Sequence, residues 1–169
     1  MPDAGCPHRC SFCNQKTISG TSAELTQADI DEAVRIATSK EYDNTNSEIA
    51  FFGGSFTGIE RELMISLLDL AEEYVKRGEV QGIRMSTRPD YINPEVLDNF
   101  QKYGGKSIEL GVQSTDEEVL RRSHRGHSFE DVKNGAALIK ERGLELGVQM
   151  MLGLPGDTME KMIQTASDL

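Results

Sequence analysis

After Cys13 the chain contains no cysteine at all, and its three thiols, Cys6, Cys10 and Cys13, all lie in the opening segment MPDAGCPHRCSFCNQKTISG. An odd count with no secretory signal peptide argues against a disulfide framework. Cations are also scarce: 18 Lys and Arg face 28 Asp and Glu, a formal net charge of −10. Nucleic-acid binders normally carry a basic patch or stripe. The compact basic cluster here is Arg121, Arg122, His124, Arg125 and His127, so the balance counts against tight RNA binding by this segment alone. No run approaches the ~20 apolar residues of a membrane span, and the mean hydropathy is −0.44. A soluble, cytoplasmic protein with reduced, metal-binding thiols is the expectation. Repeats, low-complexity tracts and linkers are absent too, and 169 residues suit a single domain with a real core.

Four apolar runs read as strands: Glu48–Phe52, Val80–Thr87, Ser107–Gln113 and Leu144–Leu152. Their lack of clean alternation is expected of strands buried on both faces. Helical patterns lie between them. Thr26 and Asp29 make a capping box ahead of Ile30, Ala33, Val34 and Ala37. Leu63, Leu67, Leu70, Ala71 and Tyr74 repeat at helical spacing. Asn93 and Pro94 read as N-cap and N1, with Gly104 and Gly105 as the stop. Ser128 and Asp131 cap a helix running to Gly143, and a last one starts near Thr158. Strand–helix units of about 30 residues specify a parallel α/β sheet, open or closed into a barrel.

The cysteines are spaced C-x3-C-x2-C. Three thiolates on one loop can hold three irons of a [4Fe–4S] cube, and since such clusters normally take four Cys, the fourth iron is left for a non-protein ligand. A zinc site of the Cys3His kind, using His8, is the alternative, with little slack between Cys6 and Cys10 around Pro7. In parallel α/β folds ligands sit at the carboxyl ends of strands, and polar motifs cluster there. Gly53-Gly54-Ser55 follows AFF, and two glycines allow close backbone approach, or simply a tight turn. Ser86-Thr87-Arg88 ends the second run; hydroxyls suit a ribose and an Arg suits a carboxylate, though Arg88-Pro89 can also be only an extended turn. Glu109 and Gln113 share a strand face. On its own Arg125 reads as a surface cation beside Arg121 and Arg122.

The cysteine spacing with Phe12 before the last Cys, followed in order by AFFGGSFTGI, MSTRPDYI, IELGVQS, HRGHS and QMMLGLPGDT, resembles the radical S-adenosylmethionine (SAM) superfamily. The branch it resembles is that of the elongator catalytic subunit and, more distantly, oxygen-independent coproporphyrinogen oxidase. The resemblance implies a parallel (β/α) partial TIM-type barrel, residues 1–169 being its core domain, cut short at both ends. It implies a [4Fe–4S] cluster on Cys6, Cys10 and Cys13 and SAM as cofactor. Reductive cleavage of SAM would give a 5′-deoxyadenosyl radical that abstracts hydrogen from substrate, the electron coming from a donor such as flavodoxin or ferredoxin.

Residue by residue, the resemblance gives Gly53, Gly54 and Ser55 to the SAM amino group, Ser86 and Arg88 to its ribose and methionine portions, and Gln113 to a further SAM contact. Arg125 matches the SAM-carboxylate arginine, Gln149 falls where relatives place a ribose-binding acid, and Leu154-Pro155-Gly156 would lean on adenine. Two positions depart from the pattern: Ser55 stands where many relatives carry Glu, and Arg88 where some carry an acid. Modification of the tRNA wobble uridine is one substrate class implied. The rival is a non-catalytic scaffold holding zinc or a structural cluster, which has no use for polar groups at four strand ends.

Overall fold

The computed structural model describes residues 8–13, 27–37, 39 and 46–169. Cys6 and the proposed cap Thr26 lie outside them. Four strands, β1 (Glu48–Phe51), β2 (Gly82–Thr87), β3 (Gly105–Gln113) and β4 (Glu145–Met150), pair in parallel in the order of the sequence. Among the described residues six helices accompany them: α1 (Gln27–Ala37), α2 (Arg61–Lys76), α3 (Pro94–Lys102), α4 (Glu117–Arg122), α5 (Phe129–Glu141) and α6 (Met159–Asp168). A sheet wound in one direction never reverses its strand order, so right-handed crossovers bring every connecting helix to the same face. That is the arrangement of a barrel wall, and it leaves the other face free to enclose ligands.

Alternation sorts the strands. Ile83 and Met85 of β2 and Ile108, Leu110 and Val112 of β3 are fully buried with Leu67, Leu68 and Ala71 of α2, Leu97 and Phe100 of α3, and Val132 and Ile139 of α5. Each such side chain contributes about 1.5–3 kcal/mol on leaving water. The opposite face carries a polar ladder. Arg84 bridges Glu48 and Glu109, Ser107 Oγ lies 2.9 Å from a carboxylate oxygen of each of Glu48 and Glu145, its one proton shared between them, and Gln149 donates to Glu109. The central strands β2 and β3 are buried or half-buried on both faces, as expected, except at Lys106, but the inner face is polar, and β4 is the more exposed strand. Glycine and serine at the inner positions hide the alternation, and β4, paired only with β3 among the described residues, leaves Val148 40% exposed.

The helix signals act as read, with a change of phase in α2. There Met64, Leu67, Leu68, Ala71 and Tyr74 face the core, while Leu63 is exposed and Leu70 half-buried. Asn93 caps α3 by accepting from Val96 N at 3.0 Å, and Gly104 takes φ +85° after it. Ser128 and Asp131 form a reciprocal capping box on α5, and Thr158 caps α6. Helix α4, capped by Asp116, and the 3-10 turns Phe56–Gly58 and Pro89–Tyr91 have no counterpart in the sequence reading, being too short for periodicity to register.

Candidate functional site

A cavity of about 170 Å³ opens at the carboxyl ends of the strands, beneath the cysteine loop. The loop contributes Cys10, Phe12 and Cys13, and Gly54 and Ser55 follow β1. Ser86 and Arg88 come from the end of β2, Gln113 from β3 and Gln149 from β4, and Arg125 reaches in from the turn after α4. Gly53 instead backs onto a small neighbouring recess with Phe51, Phe52 and Phe56. The loop is anchored from below: Ser11 N donates to Ser123 O at 3.0 Å, and Cys13 N to Cys10 O at 3.0 Å. Cys10 is buried and Cys13 half-buried. Among the described residues no three metal-binding side chains converge, so His8 does not complete a metal group with Cys10 and Cys13; its Nε2 lies 3.3 Å from Tyr91 Oη. Burial, followed by the charge of Arg88, holds the His8 pKa below its ordinary value.

The turn after β1 depends on glycine. Gly53 and Gly54 have φ of +96° and +138°, conformations that a side chain rarely allows. Ser55 then lies buried, its Oγ 2.7 Å from Thr87 Oγ1 and accepting from Arg88 N at 3.2 Å, while Thr57 meets the same Thr87 hydroxyl at 2.5 Å. A chain of hydroxyls thus ties the glycine turn to the end of β2, with Thr87 the shared member. Its role has no signal in the sequence beyond its place beside Ser86. Gln113 has φ +73° at the register shift between Gly111 and Gln113, and left-handed backbone at a non-glycine residue is a costly feature that concentrates at functional sites.

Arg88 and Arg125 form one buried unit. Arg88 is 2% exposed. Its Nε and Nη2 fork onto Asp90 at 2.9 and 2.8 Å, and its Nη1 donates to the backbone carbonyl of Arg125 at 2.6 Å. Its donors are thus directed at the protein, and Arg88 meets the cavity chiefly by holding Arg125. Arg125, 7% exposed, is no surface cation. Its Nη1 donates to Cys10 Sγ at 3.6 Å and its Nη2 to the Gly111 carbonyl, while Nε finds no hydrogen-bond partner among the described residues. A buried guanidinium with an unused donor beside a thiol is a setting that suits a carboxylate ligand.

His127, read with the basic cluster, is 5% exposed, and neither ring nitrogen has a hydrogen-bond partner among the described residues. Burial first, then the charges of Arg125 and Arg88, push its pKa down to about 4, so it is neutral near pH 7. The loop Leu154-Pro155-Gly156 does not line the cavity; Leu154 is buried and Gly156, at φ +87°, lies against the Arg122 side chain.

The sequence pattern of the Radical SAM superfamily matches residues 3–169. The chain belongs to the radical SAM superfamily of enzymes. Among characterised relatives, the tRNA uridine(34) acetyltransferase of Methanocaldococcus infernus is 40% identical over 76 residues, 45% of this chain and 14% of that protein. The solved Elp3 of Methanocaldococcus infernus superposes with a TM-score of 0.67 at 25% identity, over 84% of this chain and 36% of that one. Coproporphyrinogen III oxidase (HemN) of Escherichia coli shares the fold, with a TM-score of 0.68 at 22% identity over 99% of this chain and 39% of that one. Both resemblances drawn from the motifs are thereby met. The chain spans 54% and 57% of the length of two relatives that match it almost throughout. No helix among the described residues is long and apolar enough to cross a membrane.

Proposed function

We propose that residues 1–169 form the core domain of a radical SAM enzyme, with Cys6, Cys10 and Cys13 holding a [4Fe–4S] cluster and the strand-end residues holding SAM. One observation carries the reading: the two described thiols of the C-x3-C-x2-C loop, a buried arginine with an unpaired Nε, and polar residues from all four strand ends face the same cavity. When bound and reduced, the cluster and SAM together would supply a 5′-deoxyadenosyl radical for hydrogen abstraction. The protein binds, orients and excludes water. In this reading Arg125 receives the SAM carboxylate, carried on the Arg88–Asp90 clamp. Phe12 shields the loop, and Gly53, Gly54 and Ser55 face the amino group through backbone groups, since the Ser55 hydroxyl is shared with Thr87. Ser86, Gln113 and Gln149 present hydroxyl and amide groups suited to the ribose.

The electron donor is a small protein such as flavodoxin or ferredoxin, and the setting is cytoplasmic. For the substrate, the similarity to a tRNA uridine(34) acetyltransferase supports tRNA as the class. With a net charge of −10, the grip on the phosphate backbone then comes from surfaces beyond these residues. The test is anaerobic reconstitution with iron and sulfide. About four irons per chain are expected, with the broad cluster absorbance lost when Cys6, Cys10 or Cys13 is changed to Ser. A full cluster in the triple Cys→Ser variant overturns the assignment.

A further inference from the structure

Arg125 holds a position that carboxylate binding alone does not call for. Its guanidinium lies between the cysteine loop and strand β3, donating to the sulfur of Cys10 at 3.6 Å through Nη1 and to the Gly111 carbonyl through Nη2. The mount is rigid: Arg125 N donates to Leu120 O at 2.9 Å, and its carbonyl is held by Arg88, which is itself forked onto Asp90. Gly111 completes the arrangement, because a Cβ there would come within 2.9 Å of Arg125 Nη2 and of Gln113 Nε2. A glycine at this point of β3 is what lets the guanidinium lie flat across the strand and reach the sulfur.

We infer that Arg125 is a positioning residue that sets the reduction potential of the cluster, through its charged N–H donation to the Cys10 sulfur. The inference rests on the proposed role of Cys10 as an iron ligand. Reduction adds one electron, and part of the added charge falls on the thiolate sulfurs. A donor N–H and a fixed positive charge both interact more favourably with the reduced form, and more strongly where water is excluded. Hydrogen bonds to the sulfurs are among the features that set Fe–S potentials, and groups behind the ligands tune a metal centre as the ligands themselves do. Arg125 therefore raises the potential and brings the cluster within reach of its electron donor before SAM is present.

The experiment is a dithionite titration of reconstituted protein without SAM, followed by EPR of the reduced cluster, with iron and sulfide counted in the same samples. Leaving SAM out separates this role from any contact with the SAM carboxylate. Arg125→Gln is expected to shift the potential to a more negative value at unchanged iron content, and Arg125→Lys, which keeps the charge without the fork, to fall between it and the parent. Gly111→Ala keeps the arginine and displaces its guanidinium together with the Gln113 amide, so it is expected to shift the potential in the same direction and decides the matter if Arg125→Gln loses its cluster. Equal potentials in the parent and in cluster-loaded Arg125→Gln or Gly111→Ala overturn the inference and leave the cluster assignment standing. Parent protein that takes up no four-iron cluster overturns both.

Discussion

Behind the cavity, the side chains that matter most are those that carry others. Arg88 spends its donors on Asp90 and on the Arg125 carbonyl, and His127 packs behind the pair as a neutral ring. Its depressed pKa has a definite sign in stability. An unfolded chain with an ordinary histidine takes up a proton below pH 6.5 that the folded chain refuses until about 4. The stabilisation is therefore complete above pH 6.5 and lost as pH falls towards 4, a change on the order of 3 kcal/mol. Urea midpoints between pH 7 and 4.5 are expected to fall less steeply in His127→Phe than in the parent. Parallel slopes would show that His127 is reached by solvent. The sequence shows which polar residues stand at strand ends, because Ser86, Gln113 and Gln149 interrupt or close apolar runs. It does not show that Arg125 and His127 are buried, since HRGHS reads equally as an exposed basic turn until α4, α5 and the cysteine loop pack around it.

Elements position the site through their ends. Helix α5 starts immediately after His127, and its Gly135 crosses the Pro89–Tyr91 turn so closely that a Cβ would meet Pro89 O at 3.2 Å. Fraying the first turn of α5 would loosen the mount of both arginines. Ser128→Ala removes the hydroxyl half of the capping box and is expected to cost about 1 kcal/mol, read as a lower urea midpoint with unchanged slope. No shift in midpoint would mean the box adds nothing to α5. Such caps are legible because Ser-x-x-Asp and Asn-Pro act locally, within four residues. The phase of α2 was not, since Leu63 and Met64 are equally apolar and only packing against β1 and β2 chooses between them. Helix α4 and the two 3-10 turns escaped because three to six residues span less than two helical turns.

On the scale of the whole chain, the strand order 1-2-3-4 gathers every strand end on one rim, which is why motifs spread from Cys10 to Gln149 meet at one cavity. The alternation of βα units made that legible. The polar inner face was not, hidden by Gly82, Gly111, Gly147, Ser86 and Ser107. Acidic charge has a consequence too: these 169 residues, at −10, are expected to bind tRNA no tighter than about 10⁻⁴ M at physiological salt, the weak end of ordinary non-specific contact. Fluorescence anisotropy with labelled tRNA checks this, and sub-micromolar binding would place the RNA grip within this domain. The most direct measurement is EPR of the reduced, reconstituted protein with and without SAM. In the proposed assignment the iron left open by three cysteine ligands would take the amino and carboxylate groups of SAM, so the g values are expected to change on addition of SAM. Identical spectra at saturating SAM, from protein holding four irons, would contradict the assignment of the cavity to SAM.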